Sequence, residues 1–71
     1  MRPVEKLAMM ANQIARNVPV RGEEEAIVAT ADHIRRFWDP RMRASILAYH
    51  ADGGVLEPIA AAAVRRLAPP E

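Results

Sequence analysis

The sequence predicts an all-α fold, a small bundle of three to four short helices with a sharp corner at Asp39–Pro40. Apolar residues recur at spacings of three and four along most of the chain, which places them on one face of a helix. Pro3, Pro40 and Pro58 each stand where a helix would open, the position that tolerates a missing N–H. Pro19, the pair Asp39–Pro40 and the run Asp52–Gly53–Gly54 mark breaks between the segments.

The first helix begins at Pro3, and Val4, Leu7, Ala11, Ile14 and Val18 trace its apolar stripe. Met10 flanks that stripe, while Met9, Asn12, Gln13 and Arg16 point away from it. Pro19 ends the helix near Asn17 or Val18, because it restricts the residue before it and lacks a donor. The second helix starts after Gly22, with Glu23, Glu24 and Glu25 in its first turn at the positive end of the helix dipole. Its stripe is Ile27, Thr30, Ala31, Ile34, Phe37 and Trp38.

Asp39 is a strong N-cap and Pro40 suits the next position, so a third helix begins there with almost no loop before it. The two helices must therefore meet at a corner. Trp38 precedes the cap, where an apolar residue often packs against the fourth helical position. That position holds Arg43, so a guanidinium over the indole face is expected. Met42, Ile46 and Tyr49 point inward until Asp52–Gly53–Gly54 stops the helix. Leu56–Glu57–Pro58 opens a fourth helix with Ile59, Ala63 and Leu67 on one face, and residues 68–71 form a frayed tail.

The whole chain, residues 1–71, makes one small domain. Of its 36 hydrophobic positions 14 are Ala, which favours helix but buries little area. A core this lean leaves little margin, and domains of this size usually add a disulfide, a metal or a partner. There is no Cys, which removes disulfides, thiolate zinc sites and Cys-ligated clusters. A partner is the remaining support. The N-terminal segment carries Glu5, Lys6 and Arg16 with no continuous apolar stretch, unlike a signal peptide. No uncharged run approaches the ~20 residues that span a bilayer, so a soluble, cytoplasmic protein is expected, without a membrane role.

Catalytic chemistry finds no foothold. His33 and His50 each lack the convergent ligands that a metal site needs, and both read as structural or solvated. No Ser–His–Asp spacing, phosphate loop or carboxylate pair stands out, so no catalytic, cofactor-binding or metal-binding residue is assigned. Net charge is only +1, which gives little field for nucleic acid. A helix–corner–helix is compatible with a helix-turn-helix DNA reader, but Arg41 and Arg43 alone are a poor set for reading base edges.

One stretch does point to binding. Ile34 to Met42 and Arg43 holds four of the nine arginines and two of the three aromatics. Arg and Trp dominate many protein interfaces, so Arg35, Arg36, Phe37, Trp38, Arg41 and Arg43 are the candidate partner-binding residues. The competing assignment puts Phe37 and Trp38 in the core and leaves the arginines solvated. Val28, Leu47 and Met9 fall off their stripes and make a second candidate face.

The segment from Ala31 to Arg43, with Phe37-Trp38-Asp39-Pro40-Arg41-Met42-Arg43 at its centre, resembles the delta subunit of NAD-dependent formate dehydrogenase. Lys6 to Ala15 and Asp52 to Ile59 are similar to the same family, so the resemblance covers most of the chain and is weakest across Asn17–Glu25. It implies an accessory subunit of a molybdenum- or tungsten-dependent complex. There the alpha subunit holds bis-molybdopterin guanine dinucleotide and iron–sulfur clusters. The beta and gamma subunits carry FMN and further clusters and pass electrons to NAD. The delta chain binds none of these cofactors. By the same resemblance it stabilises the assembly by docking on the catalytic alpha subunit, or acts transiently in cofactor insertion, where Arg35, Arg36, Arg41 or Arg43 would meet phosphates. A DNA-binding module stands third.

Overall fold

A computed structural model describes residues 2–68. Four helices follow in order: α1 Pro3–Asn17, α2 Glu23–Phe37, α3 Pro40–Ala51 and α4 Pro58–Arg65. No strand occurs among the described residues, and none of the helices is long and apolar enough to cross a membrane. Of the expected tail, Ala68 alone lies within the described residues; its N–H closes a turn on the Arg65 carbonyl at 3.2 Å.

Each boundary has a local cause. Proline opens α1, α3 and α4. Gly22 precedes α2 at φ 94°, a left-handed conformation that favours glycine. Asp39 caps α3, its Oδ1 accepting the Met42 N–H at 2.8 Å. At the far end of α3 the Gly54 N–H reaches the Tyr49 carbonyl at 2.8 Å, and the Gly53 N–H reaches that of His50 at 3.1 Å. This pair of bonds is a Schellman closure, made possible by Gly53 at φ 87°. Gly54 is required for another reason. A Cβ there would lie 2.5 Å from the Tyr49 ring, whose hydroxyl donates to the Val55 carbonyl.

The core is lined with small residues. Ala8, Ala11 and Ala15 of α1 and Ala60 of α4 surround Ile34, Trp38, Ile46 and Val64. Beside them Ile27 and Ala31 of α2 pack on Ala63 of α4. Alanine lets helix backbones approach closely, and the isoleucines and the indole then fill the space that remains. Helix α1 touches all three other helices, and α2 packs most extensively on α4. Helices α2 and α3 meet chiefly where the chain turns between them. There Trp38, only 4% exposed, fills the wedge.

Several expectations change. Phe37, placed on the α2 stripe, is 71% exposed. The chain leaves helical geometry after Phe37, so the turn that delivers Trp38 to the core directs Phe37 to solvent. The α1 stripe is centred on Ala8, Ala11 and Ala15, with Leu7 and Ile14 only half-buried, because the narrow alanine face is what fits against three neighbours. Val64 is fully buried and Leu47 packs against the core, although neither was on an expected stripe. Asn12 does not point away: its Oδ1 accepts the Glu57 N–H at 3.0 Å, satisfying the backbone just before α4. Arg16 meets the Glu57 carboxylate beside it, so both polar residues tie α1 to the start of α4.

Candidate docking surface

The corner between α2 and α3 divides the six candidate residues into a fixed frame and an exposed surface. Trp38 belongs to the frame, with no free surface to offer a partner. Arg43 belongs there too. Its Nη1 donates to the Trp38 carbonyl at 2.7 Å and to the Arg35 carbonyl at 3.3 Å. These are carbonyls at the end of α2 that lack helical partners, and a cation there also opposes the negative end of the dipole. The guanidinium expected over the indole face is thus held on the backbone. Arg35 does a similar job for α4, donating from Nη2 to the Arg66 carbonyl at 2.6 Å.

The surface consists of Arg36, Phe37 and Arg41. Arg36 pairs with Asp32 one turn back, at 3.2 Å between two exposed side chains. Such a pair contributes about 0–1 kcal/mol and exchanges readily. Arg41 is exposed, and its side chain makes no hydrogen bond or ion pair among the described residues. Phe37 stacks obliquely on His33, with ring centroids 4.7 Å apart. The only acid within residues 35–43 is Asp39, and its carboxylate is engaged in the cap. The corner is therefore positive, while Glu23, Glu24 and Glu25 stand at the opposite end of α2.

His33 connects this corner to a shallow groove that the sequence did not reveal. Ile14, Val18 and Pro19 line it together with Gln13, Asn17 and His33, enclosing about 300 Å³. The spacing of four between His33 and Phe37 is the one signal that pointed to it. A larger open cleft of about 490 Å³ lies beyond Val18, where Val20, Ala26 and Ile59 face the Arg16–Glu57 pair. Of the second candidate face, Met9 and Val28 are exposed but Leu47 is not free.

The titratable groups lining the larger cleft are Arg16, Glu23 and Glu57, and the groove holds His33. Among the described residues, no cluster of three or more His, Asp or Glu is placed to hold a metal. His50 has a buried Nδ1 without a partner, but it joins no such cluster. The start of α3, where a DNA reader would display its polar residues, leaves only Arg41 free, since Arg43 is turned to the backbone. What the corner displays is an exposed aromatic ring, Phe37, and an exposed cation, Arg41, residue types common at protein interfaces.

The family model described as NADH-dependent formate dehydrogenase delta subunit FdsD matches residues 6–64. No curated protein and no solved structure matches the chain.

Proposed function

The chain belongs to the NADH-dependent formate dehydrogenase delta subunit family, and on that premise we propose that it is a permanent accessory subunit docked on the catalytic alpha subunit. It stabilises the complex of alpha, beta and gamma subunits and performs no step of formate oxidation itself. The observation that carries this reading is the division at the corner. Trp38, Arg35 and Arg43 hold α2, α3 and α4 in place, and Phe37 and Arg41 are left exposed, which supports their use in docking.

The bis-molybdopterin guanine dinucleotide, the iron–sulfur clusters, FMN and the NAD site belong, on this reading, to the partner subunits. A chain without Cys has no thiolate to give a cluster. The complex works in the cytoplasm. A transient role in cofactor insertion asks for arginines free to meet phosphates, and two of the four at the corner are held on backbone carbonyls. Permanent docking asks for less.

Gentle purification of the tagged chain from its native cell tests this. The eluate is assayed for subunit stoichiometry, molybdenum or tungsten, and formate-dependent NAD reduction. Stoichiometric active dehydrogenase is expected. A substoichiometric, metal-free catalytic subunit would establish the transient role instead, and recovery of no dehydrogenase subunit would overturn both.

A further inference from the structure

The turn that buries Trp38 leaves its neighbour Phe37 as the most exposed aromatic among the described residues. Phe37 leaves 71% of its surface in water, and its one aromatic neighbour, His33, is exposed as well. Together the two rings form a ridge one helical turn long on α2. His33 then continues into the groove lined by Ile14, Val18 and Pro19, so ridge and groove make a single apolar strip across α2 and the end of α1. Isolated exposed apolar residues are ordinary, whereas here an exposed ring adjoins an apolar groove through His33, the arrangement that contiguous binding faces share. Gln13 and Asn17 line the groove beside the apolar residues, and the exposed Arg36 and Arg41 flank Phe37 in the chain, one directly before it and the other just past the corner.

Charge decides what fits. Among the described residues Arg41 has no acid of its own, and Arg36 holds only an exposed, exchangeable pair with Asp32. Asp39 is spent in capping α3. A cationic partner would meet uncompensated repulsion at this end of the strip, whereas a carboxylate can take the planar fork of Arg41 in two parallel hydrogen bonds. The apolar strip favours an amphipathic helix, whose side chains at i, i+3 and i+4 enter a groove of this kind.

We infer that the Phe37–His33 ridge and the adjoining groove receive an acidic amphipathic helix of a partner subunit, with its apolar residues against Phe37 and Ile14 and an Asp or Glu on Arg41. This rests on the reading of the chain as a docked subunit and adds the chemistry of what it docks on.

The test uses the full chain and the dehydrogenase complex prepared without it. A photoreactive p-benzoylphenylalanine at position 37 is irradiated in the reassembled complex, and the cross-linked peptide is sequenced. In parallel, binding to the complex is measured for Phe37→Ala, Arg41→Glu, Arg41→Lys and, in the other cleft, Val20→Asp. Circular dichroism establishes that each variant is folded.

The expected cross-link is to one helical peptide of another subunit that carries Asp or Glu within a turn of the attachment point. Phe37→Ala and Arg41→Glu each weaken binding at least tenfold, the latter less so at high salt. Arg41→Lys recovers part of the loss and Val20→Asp changes little. A cross-link to a second copy of this chain, or to a peptide without carboxylates, would overturn the inference. So would unchanged binding of Phe37→Ala and Arg41→Glu. In these cases the wild-type chain still binds and the accessory-subunit reading survives; if the wild-type chain itself does not bind, that reading fails too.

Discussion

Arg43 donates from Nη1 to the carbonyl of Trp38 at 2.7 Å, so the first turn of α3 closes the last turn of α2. The same nitrogen lies 3.3 Å from the Arg35 carbonyl, and the Trp38 N–H completes the helix by reaching the Ile34 carbonyl at 2.9 Å. One half-buried guanidinium thus replaces the partners that two terminal carbonyls lose when the helix stops. The corner is rigid because its backbone is satisfied from both sides.

Removing that donor has a measurable cost. Arg43→Ala is expected to lower stability by about 1 to 2 kcal/mol, since half-buried carbonyls lose a charged donor. Arg43→Lys recovers only part, because one ammonium does not reproduce the planar fork. Urea unfolding of the three proteins reads this directly, and equal midpoints would show that the bond contributes nothing.

The two neighbouring aromatics should behave oppositely. Trp38→Ala removes the indole that fills the wedge, a change that typically costs about 3–5 kcal/mol. In a core with so few large side chains this is enough to unfold most of the chain, and binding to the complex disappears with the helical signal. Phe37→Ala, by contrast, should shift stability by less than about 0.5 kcal/mol and leave the circular dichroism spectrum unchanged. A folded Trp38→Ala protein with native melting would remove Trp38 from the frame.

Thr30 is fully buried on α2 and its hydroxyl has no hydrogen-bond partner. An unsatisfied buried hydroxyl is destabilising, so Thr30→Val, which keeps the shape and removes the polar atom, is expected to stabilise by about 1 kcal/mol. For a domain of this length that corresponds to an increase in Tm of roughly 4–8 °C. A lower Tm for the valine protein would mean that the hydroxyl does find a partner in solution.

The end of α3 distinguishes two kinds of glycine. Gly54→Ala would drive a methyl group into the Tyr49 ring and is expected to cost about 1–3 kcal/mol. Gly53→Ala meets open space but must hold a positive φ, at a cost of about 1 kcal/mol. In a Tyr49→Ala background the Gly54 penalty should fall and the Gly53 penalty should not. Thermal denaturation of the double-mutant cycle checks both, and equal penalties in the two backgrounds would reject the clash.

Fold class and element boundaries were legible because their causes are local. Pro3, Pro40 and Pro58 open helices through their own ring geometry, Asp39 caps through its own side chain, and Gly53 ends a helix through its own φ. None of these needs a distant partner. The family was legible too, since a run such as Phe37-Trp38-Asp39-Pro40-Arg41-Met42-Arg43 is a linear pattern, and the family model covers it. The composition also settled that no thiolate chemistry belongs to this chain, because there is no Cys.

Which face of each helix is buried depended on the packing of the others. Periodicity weighted the large residues of α1, yet its buried centre is alanine, because three neighbouring helices approach it and only a methyl group fits. Asn12 and Arg16 read as solvent-facing until α4 arrived beside them, some forty residues later in the chain. Phe37 and Trp38 are adjacent and similar in kind; the direction of the turn at Asp39 alone sends one inward and the other out. The four arginines of the corner were likewise one cluster in the sequence. The fold holds Arg35 and Arg43 on helix-terminal carbonyls and leaves Arg41 free, because an unsatisfied backbone end takes the nearest cation that can reach it.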